Sequence, residues 1–514
     1  MDAIAPPLAL TAPAKAPPRA WLALGVLALP TLLIAIDVSV MILALPQIGI
    51  ALGATSSQSL WIMDIYGFML AGFSITMGSL ADRAGSRKVL FLGAGAFALA
   101  SVAAAFSPNV PLLIAARAVL GVAGATISPA ILGLISTLFA NPKERAFAIG
   151  IWMACFMGGM SLGPLAGGAM LQHFWWGSVF LLGVPAMVPL LLFGPALLPE
   201  RRADHAGPLD LLSVALSLAA ILPVVYAIKE TARGGFAWPL LAALVAGLAF
   251  GVAFAVRQRR LEHPLLDLGL FRAPAFSAML AANFLVASTG SVMLFVSQYA
   301  QLVARLSPLA AGLVMLPGPV AMMAGVLTAP LVARRFAIGP FIAAGLAVAV
   351  GGLLVLAVIG GPEWLLVLVA AFAFYQLGCA PMVALSTDVV IGAAPKDRAG
   401  SAGAVLQIAG DLAFSLGIAV LGSIGIAVYR AGLGDALSGL PPGVAARAAE
   451  DLAGAAAVAP TLPPAAGEAL RATAEGAFLS AFHVVAFFAA AALTAVAVLC
   501  FRALRGRGRL GSAA

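Results

Sequence analysis

Asp37, Asp64, Asp411 and Arg117 are charged residues set well inside long apolar runs of this 514-residue chain. A charge in hydrocarbon is expensive, so each marks a place where something must neutralise it. Asp37 and Arg117 fall roughly 12 Å and 9 Å from the same membrane face, counting about 1.5 Å per helical residue. Comparable depth permits them to pair, which a buried Arg requires. Such a pair is either a proton relay or a static structural bridge. Asp64 lies at a similar depth, with Trp61 and Tyr66 close by in the chain. Desolvation disfavours its charged form, so a proton or an organic cation would satisfy it, and competition between the two is the simplest chemical basis for exchange. Trp61, Tyr66, Trp152 and Phe156 could add ring faces that attract cations. Trp61 and Tyr66 could equally be interfacial anchors. Asp411 has Gln407 one helical turn before it.

Helices must carry these residues. The chain is 63% hydrophobic and 9% charged, with mean hydropathy +1.09, too apolar for a soluble core. It reads as an all-α integral membrane protein, without the alternation of a barrel. Charged and Pro/Gly-rich breaks leave about fourteen spans of bilayer length. They run near 21–45, 58–80, 89–106, 111–138, 146–170, 178–198, 209–229, 238–256, 275–303, 309–332, 338–359, 364–391, 402–428 and 478–501. With the amino terminus inside, the inner breaks hold most cations, among them Arg83, Arg87, Lys88, Arg201, Arg202, Arg334, Arg335 and the tail Arg502–Arg509. The outer breaks hold Lys229, Arg233, Arg305, Arg430, Arg447 and Arg471. That asymmetry places both termini in the cytoplasm.

Pro142-Lys-Glu-Arg-Ala146 recurs as Pro395-Lys-Asp-Arg-Ala399, each copy between the fourth and fifth spans of a six-span block. Two parallel six-helix halves with two extra central spans follow, an arrangement that puts a transport site between the halves. The expected layout is a tail over 1–20, a first half over 21–198, two extra spans over 199–260, a second half over 261–501 and a basic tail over 502–514. Residues 431–477 read as a mobile outer loop, with short helices conceivable near Val444–Leu452 and Glu468–Gly476.

Several segments resemble the major facilitator superfamily. Gly78-Ser-Leu-Ala-Asp82-Arg83-Ala-Gly85-Ser-Arg87-Lys88 is similar to its loop signature, and Leu112–Gly124, with Arg117, Gly121 and Gly124, to its fourth-helix motif. Gly159, Gly163, Pro164, Gly167 and Gly168 resemble the fifth-helix motif of antiporters. Asp37–Ile48, Trp61–Tyr66 and Gln301–Gly312 are similar to the fourteen-span drug:proton antiporter branch, toward exporters of quaternary ammonium compounds and methyl viologen. The resemblance implies a proton-driven exporter of lipophilic cations. It implies proton coupling at Asp37 and Arg117 and cargo binding at Asp64, Trp61, Tyr66, Trp152, Phe156, Gln407 and Asp411. Gating would fall to Gly78, Asp82, Arg83, Gly85 and Arg87 and to the fifth-helix glycines. Gly78 and Gly85 would let backbones approach, while Asp82 would clasp helix-end amides or an Arg. A carrier of a lipid, siderophore or metabolite on the same fold is the alternative.

An enzyme is not expected, because no nucleophile–base pair, metal cluster or phosphate loop has sensible spacing. Cys155, Cys379 and Cys500 lie in apolar runs, and the four histidines are scattered, so neither a metal nor a cofactor is implied. The proton gradient would be the energy source. The expected partners are small organic cations, protons and membrane lipid, with no nucleic acid, around a monomer.

Overall fold

The protein is seen in a computed structural model that describes residues 16–200, 210–261, 264, 266, 268–393 and 399–503. The first fifteen residues, Arg201 and Arg202, most of the second repeat copy and the tail beyond 503 lie outside the described residues. Among the described residues, fourteen helices are long and apolar enough to cross a membrane. They are α1 (Pro18–Leu52), α2 (Ser56–Ala84), α3 (Ser86–Ala105), α4 (Val110–Leu138), α5 (Phe147–His173), α6 (Ser178–Leu197) and α7 (Leu211–Gly234). There follow α8 (Trp238–Gln258), α9 (Phe276–Val303), α10 (Pro308–Val332), α11 (Ile338–Leu356), α12 (Pro362–Thr387), α13 (Val405–Leu433) and α14 (Pro464–Arg502).

Local chemistry sets the ends of these helices. Thr55 and Gln58 close a reciprocal capping box at the start of α2. Asn109 accepts from the Leu112 amide to cap α4, and Ser307 accepts from the Ala310 amide before Pro308 begins α10. Gly85 joins α2 to α3 at φ +105°, a conformation L-residues avoid, and a methyl there would also meet the Glu200 carboxylate.

α1–α6 pack together as one half and α9–α14 as the other. Two seams join them, α2 against α13 and α5 against α10. The added helices are not equivalent. α7 packs on both α2 and α13, whereas α8 rests on α7. The seventh span is therefore longer than the sequence reading places it, continuing from Lys229 to Gly234.

One end of the bundle carries Arg83, Arg87 and Lys88, and the opposite end carries the loop after α13. That loop differs from the expected mobile segment. Residues 464–477 belong to α14, and the shortened connection folds into two short helices, Pro442–Ala448 and Leu452–Val458. Asp451 caps the second by accepting from the Gly454 amide at 2.6 Å. Arg447 donates to the Gly49 carbonyl in the last turn of α1 at 2.9 Å and to that of Ala54 just beyond it, tying the loop to the end of α1. Glu450 accepts from the backbone amide and the hydroxyl of Ser56 at 2.8 Å each, and pairs with Arg233 of α7 at 3.1 Å. Hydrogen bonding and apolar packing thus order a stretch whose composition alone suggests mobility.

The loop end is shut. Ser297 donates to the Ile42 carbonyl at 3.1 Å and Gln301 to that of Leu43 at 3.0 Å. Hydrogen bonds between described residues of the two halves all lie toward this end. A cavity of about 60 Å³ remains beneath the loop helices, bordered by Leu60, Gln298, Tyr429 and Glu450.

Candidate functional site

Residues nominated from sequence fall into separate neighbourhoods. The first joins α1, α2 and α4. Arg117 Nη1 lies 2.7 Å from Asp37 Oδ2, and its Nε donates to the Ile62 carbonyl at 3.2 Å. The guanidinium stands over the Tyr66 ring at 4.8 Å and near that of Phe180 at 5.9 Å. Arg117 is 1% exposed and Asp37 8%. The α4 glycines explain how Tyr66 gets there. A methyl at Gly121 would strike the Tyr66 carbonyl, and one at Gly124 would crowd its hydroxyl.

The second neighbourhood joins α2 to α7, and it corrects the reading of Lys229 as an outer-loop cation. Lys229 is fully buried. Its ammonium donates to Asp64 Oδ1 at 2.9 Å and lies 2.7 Å from Oδ2, a charge contact outside hydrogen-bond geometry. Its centre stands 3.8 Å from that of the Trp61 ring. Asp64 is therefore no lone carboxylate. The physical reason is the continued helix: past Lys229, Glu230 and Arg233 form an i,i+3 pair that carries α7 onward, leaving the lysine a full turn inside. Two of the four aromatic faces proposed for a cationic cargo, Trp61 and Tyr66, thus carry cations of the chain itself.

The third neighbourhood is on α13. The Gln407 amide donates to Asp411 Oδ1 at 3.1 Å, and the Asp411 turn lies beside Gly67 of α2. Asp411 forms no ion pair among the described residues. Trp152 and Phe156 lie elsewhere, half-buried on α5, and the Trp152 indole donates to Thr31 of α1 at 2.7 Å.

The fifth-helix glycines pack at two places. Methyls at Gly159 and Gly163 would collide with α1 at the Leu32 carbonyl and at Ser39, and one at Gly167 with Val40. Gly168 lies against the Pro308 carbonyl of α10, while Gly312 of α10 lies against the Pro164 carbonyl of α5. This reciprocal crossing brings two backbones together at the shut end.

At the basic end, Arg87 donates to the Leu198 carbonyl at 3.0 Å and faces Glu200 at 3.4 Å. Asp82 and Arg83 are exposed, and the clasp expected of Asp82 is not made among the described residues. The close backbone approach expected at Gly78 is corrected as well. Its nearest neighbour would be the Pro129 side chain at 3.5 Å, an ordinary contact, so no close backbone approach requires glycine there. Glu200, the acidic partner of the basic turn, was not singled out from the sequence, because it is distant in the chain and outside every motif.

The model of the Major Facilitator Superfamily matches residues 27–418. The chain belongs to that superfamily. It is a multi-pass membrane transporter rather than an enzyme. The chain is 41% identical to the multidrug efflux pump LfrA of Mycolicibacterium smegmatis, over 96% of this chain and 97% of that one. It is 33% identical to the methyl viologen resistance protein SmvA of Salmonella typhimurium, over 93% and 97% respectively. In fold, this facilitator resembles a bacterial homologue of the human lysosomal transporter Spinster solved in an inward-facing, unoccupied conformation. The TM-score is 0.64 at 17% identity, over 95% of this chain and 98% of that one.

Proposed function

We propose that this facilitator is a proton-coupled exporter of lipophilic organic cations, quaternary ammonium compounds and methyl viologen among them, in the bacterial inner membrane. One observation carries the reading. Asp37 and Asp64 each hold a cation of the chain, whereas among the described residues Asp411 has only the Gln407 amide. An uncompensated carboxylate at membrane depth favours taking up a proton or a cationic cargo. It satisfies one positive charge at a time, so the two compete. Similarity to a multidrug efflux pump and a methyl viologen resistance protein supports the same reading. The proton gradient drives the exchange without a cofactor.

With both termini in the cytoplasm, the shut loop end faces outward and the state is inward-facing. A cation then enters from the basic end, past Gln407, and settles on Asp411. Rocking of the halves turns it outward, where a proton displaces it. The Asp82 carboxylate makes no clasp among the described residues in this state and would close the basic end in the opposite one.

Everted vesicles with an acid interior test the proposal. Ethidium, benzalkonium and methyl viologen should each trigger proton release, an uncharged control should not, and Asp411→Asn should abolish the response. Release that survives Asp411→Asn removes the role given to Asp411. Silence toward every cation overturns cation export and favours a carrier of a lipid, siderophore or metabolite.

A further inference from the structure

Lys229 lies in a cage built like a receptor for an organic cation. Its ammonium meets both oxygens of Asp64, and one side of it is covered by the half-buried indole of Trp61. A carboxylate that supplies charge and a ring face that covers the apolar side of an onium ion are the elements of quaternary ammonium recognition. Phe68 and Val225, one turn along from Asp64 and Lys229, belong to an apolar cluster of α2, α7 and α13 against which Trp61, Ile221 and Leu412 pack.

We propose that Asp64 and Trp61 form a cation-binding site whose resident occupant is Lys229, a tethered competitor that a cargo cation must displace. A lysine suits this role. Its charge sits on a flexible four-carbon stem with rotatable donors, so it can leave and return, whereas a guanidinium held by several fixed bonds cannot. The helix that bears it suits the role as well. α7 touches α2 in one half and α13 in the other, so relative motion of the halves bears directly on the seat of Lys229. The added helix pair thereby gains a function: it sets which cations can compete for Asp64. The place of this site in transport rests on the cation-export reading, but binding can be tested without it.

The test is the thermal midpoint of the purified protein at alkaline pH, where protons compete least. Butylammonium, tetramethylammonium and tetraphenylphosphonium chlorides are titrated against sodium chloride at equal ionic strength. Lys229→Ala leaves Asp64 buried without its cation, so added onium ions should raise its midpoint by several degrees. The apparent affinity should exceed that of the parent about tenfold or more. Asp64→Asn combined with Lys229→Ala should cancel the rise. If Lys229→Ala does not yield folded protein, Lys229→Gln, whose amide still donates to Asp64, supplies the same comparison. An equal rise in parent and variant, or one that persists in the double variant, overturns the proposal and leaves Lys229 a bolt between α7 and α2. Vesicles in which the parent moves no cation would overturn export alone, and a missing midpoint shift would overturn this site alone.

Discussion

Arg117 and Lys229 both neutralise a carboxylate inside the membrane and both lie against an aromatic ring, yet the two pairs are built differently. Arg117 is held by Asp37, by the Ile62 carbonyl and between the rings of Tyr66 and Phe180, all within the first half. Lys229 has one carboxylate and one ring, and it arrives on a helix outside the two six-helix halves. The first cation makes fixed, planar contacts through a rigid fork, whereas the second is a compact point charge on a flexible stem. An ion pair locked on several sides acts as framework, while one with few contacts can be exchanged. Under the proposal made for Lys229, the difference suits the two pairs to different work.

The largest expected effect breaks the first pair. Arg117→Ala strands Asp37 and removes a donor from the Ile62 carbonyl, at a cost of about 3–5 kcal/mol. Arg117→Lys should recover only part of this, since an ammonium cannot reproduce the fork. Thermal midpoints and the yield of folded protein check both variants. Neutral double variants sharpen the contrast. Asp64→Asn with Lys229→Met should cost less than about 1.5 kcal/mol, because replacing both members of a buried pair is often close to neutral. Asp37→Asn with Arg117→Met should cost more, because the Ile62 carbonyl still loses its donor. Equal losses would mean that the pairs are equivalent.

A smaller effect acts through the ring beneath Arg117. Gly121→Ala should cost about 1–3 kcal/mol by forcing α4 away from Tyr66. Gly78→Ala, which meets only ordinary contact, should stay within about 0.5 kcal/mol. The same midpoints read this difference.

The smallest effect concerns the clamp on α7 beyond Lys229. Burial works against ionisation of Glu450, but hydrogen bonds from Arg233 and Ser56 outweigh it and hold its carboxyl below the ordinary 4.5. A depressed native value means that Glu450 stabilises the closed loop end above about pH 4.5 and that this contribution fades as pH falls through the lower native value. Burial pushes neighbouring Asp451 in the opposite direction, so the difference between parent and Glu450→Gln isolates the effect of Glu450. Cysteine labelling beneath the loop helices should rise in Glu450→Gln at neutral pH and converge with the parent under acid.

Much of this molecule was legible without coordinates. Hydropathy marks helices because a bilayer leaves the backbone no partner except itself, and the fourteen spans follow. Asp37 and Arg117 could be matched by depth, since both lie more than a turn inside their spans at comparable distance from the same face. Lys229 could not be matched in the same way. A lysine near the end of an apolar run reads alike whether it leans outward to water or turns inward to a carboxylate, because its stem is long enough for either. Glu450 looked like one acid in a soft Ala- and Pro-rich loop, since nothing local announces that Ser56 and Arg233 converge on it.

By itself the sequence determined the approximate spans, the superfamily and the depth of Asp37, Asp64 and Arg117, because these depend on composition and on rise per residue along one helix, whereas the burial of Lys229 did not follow from it. Only the tertiary structure decided which charges meet. That choice depends on how helices rotate and cross, which is governed by close approaches such as Gly121 on Tyr66 and Gly168 on Pro308. It assigned Lys229 to Asp64, folded the loop onto Ser56, and left Asp411 as the membrane carboxylate without a cation among the described residues.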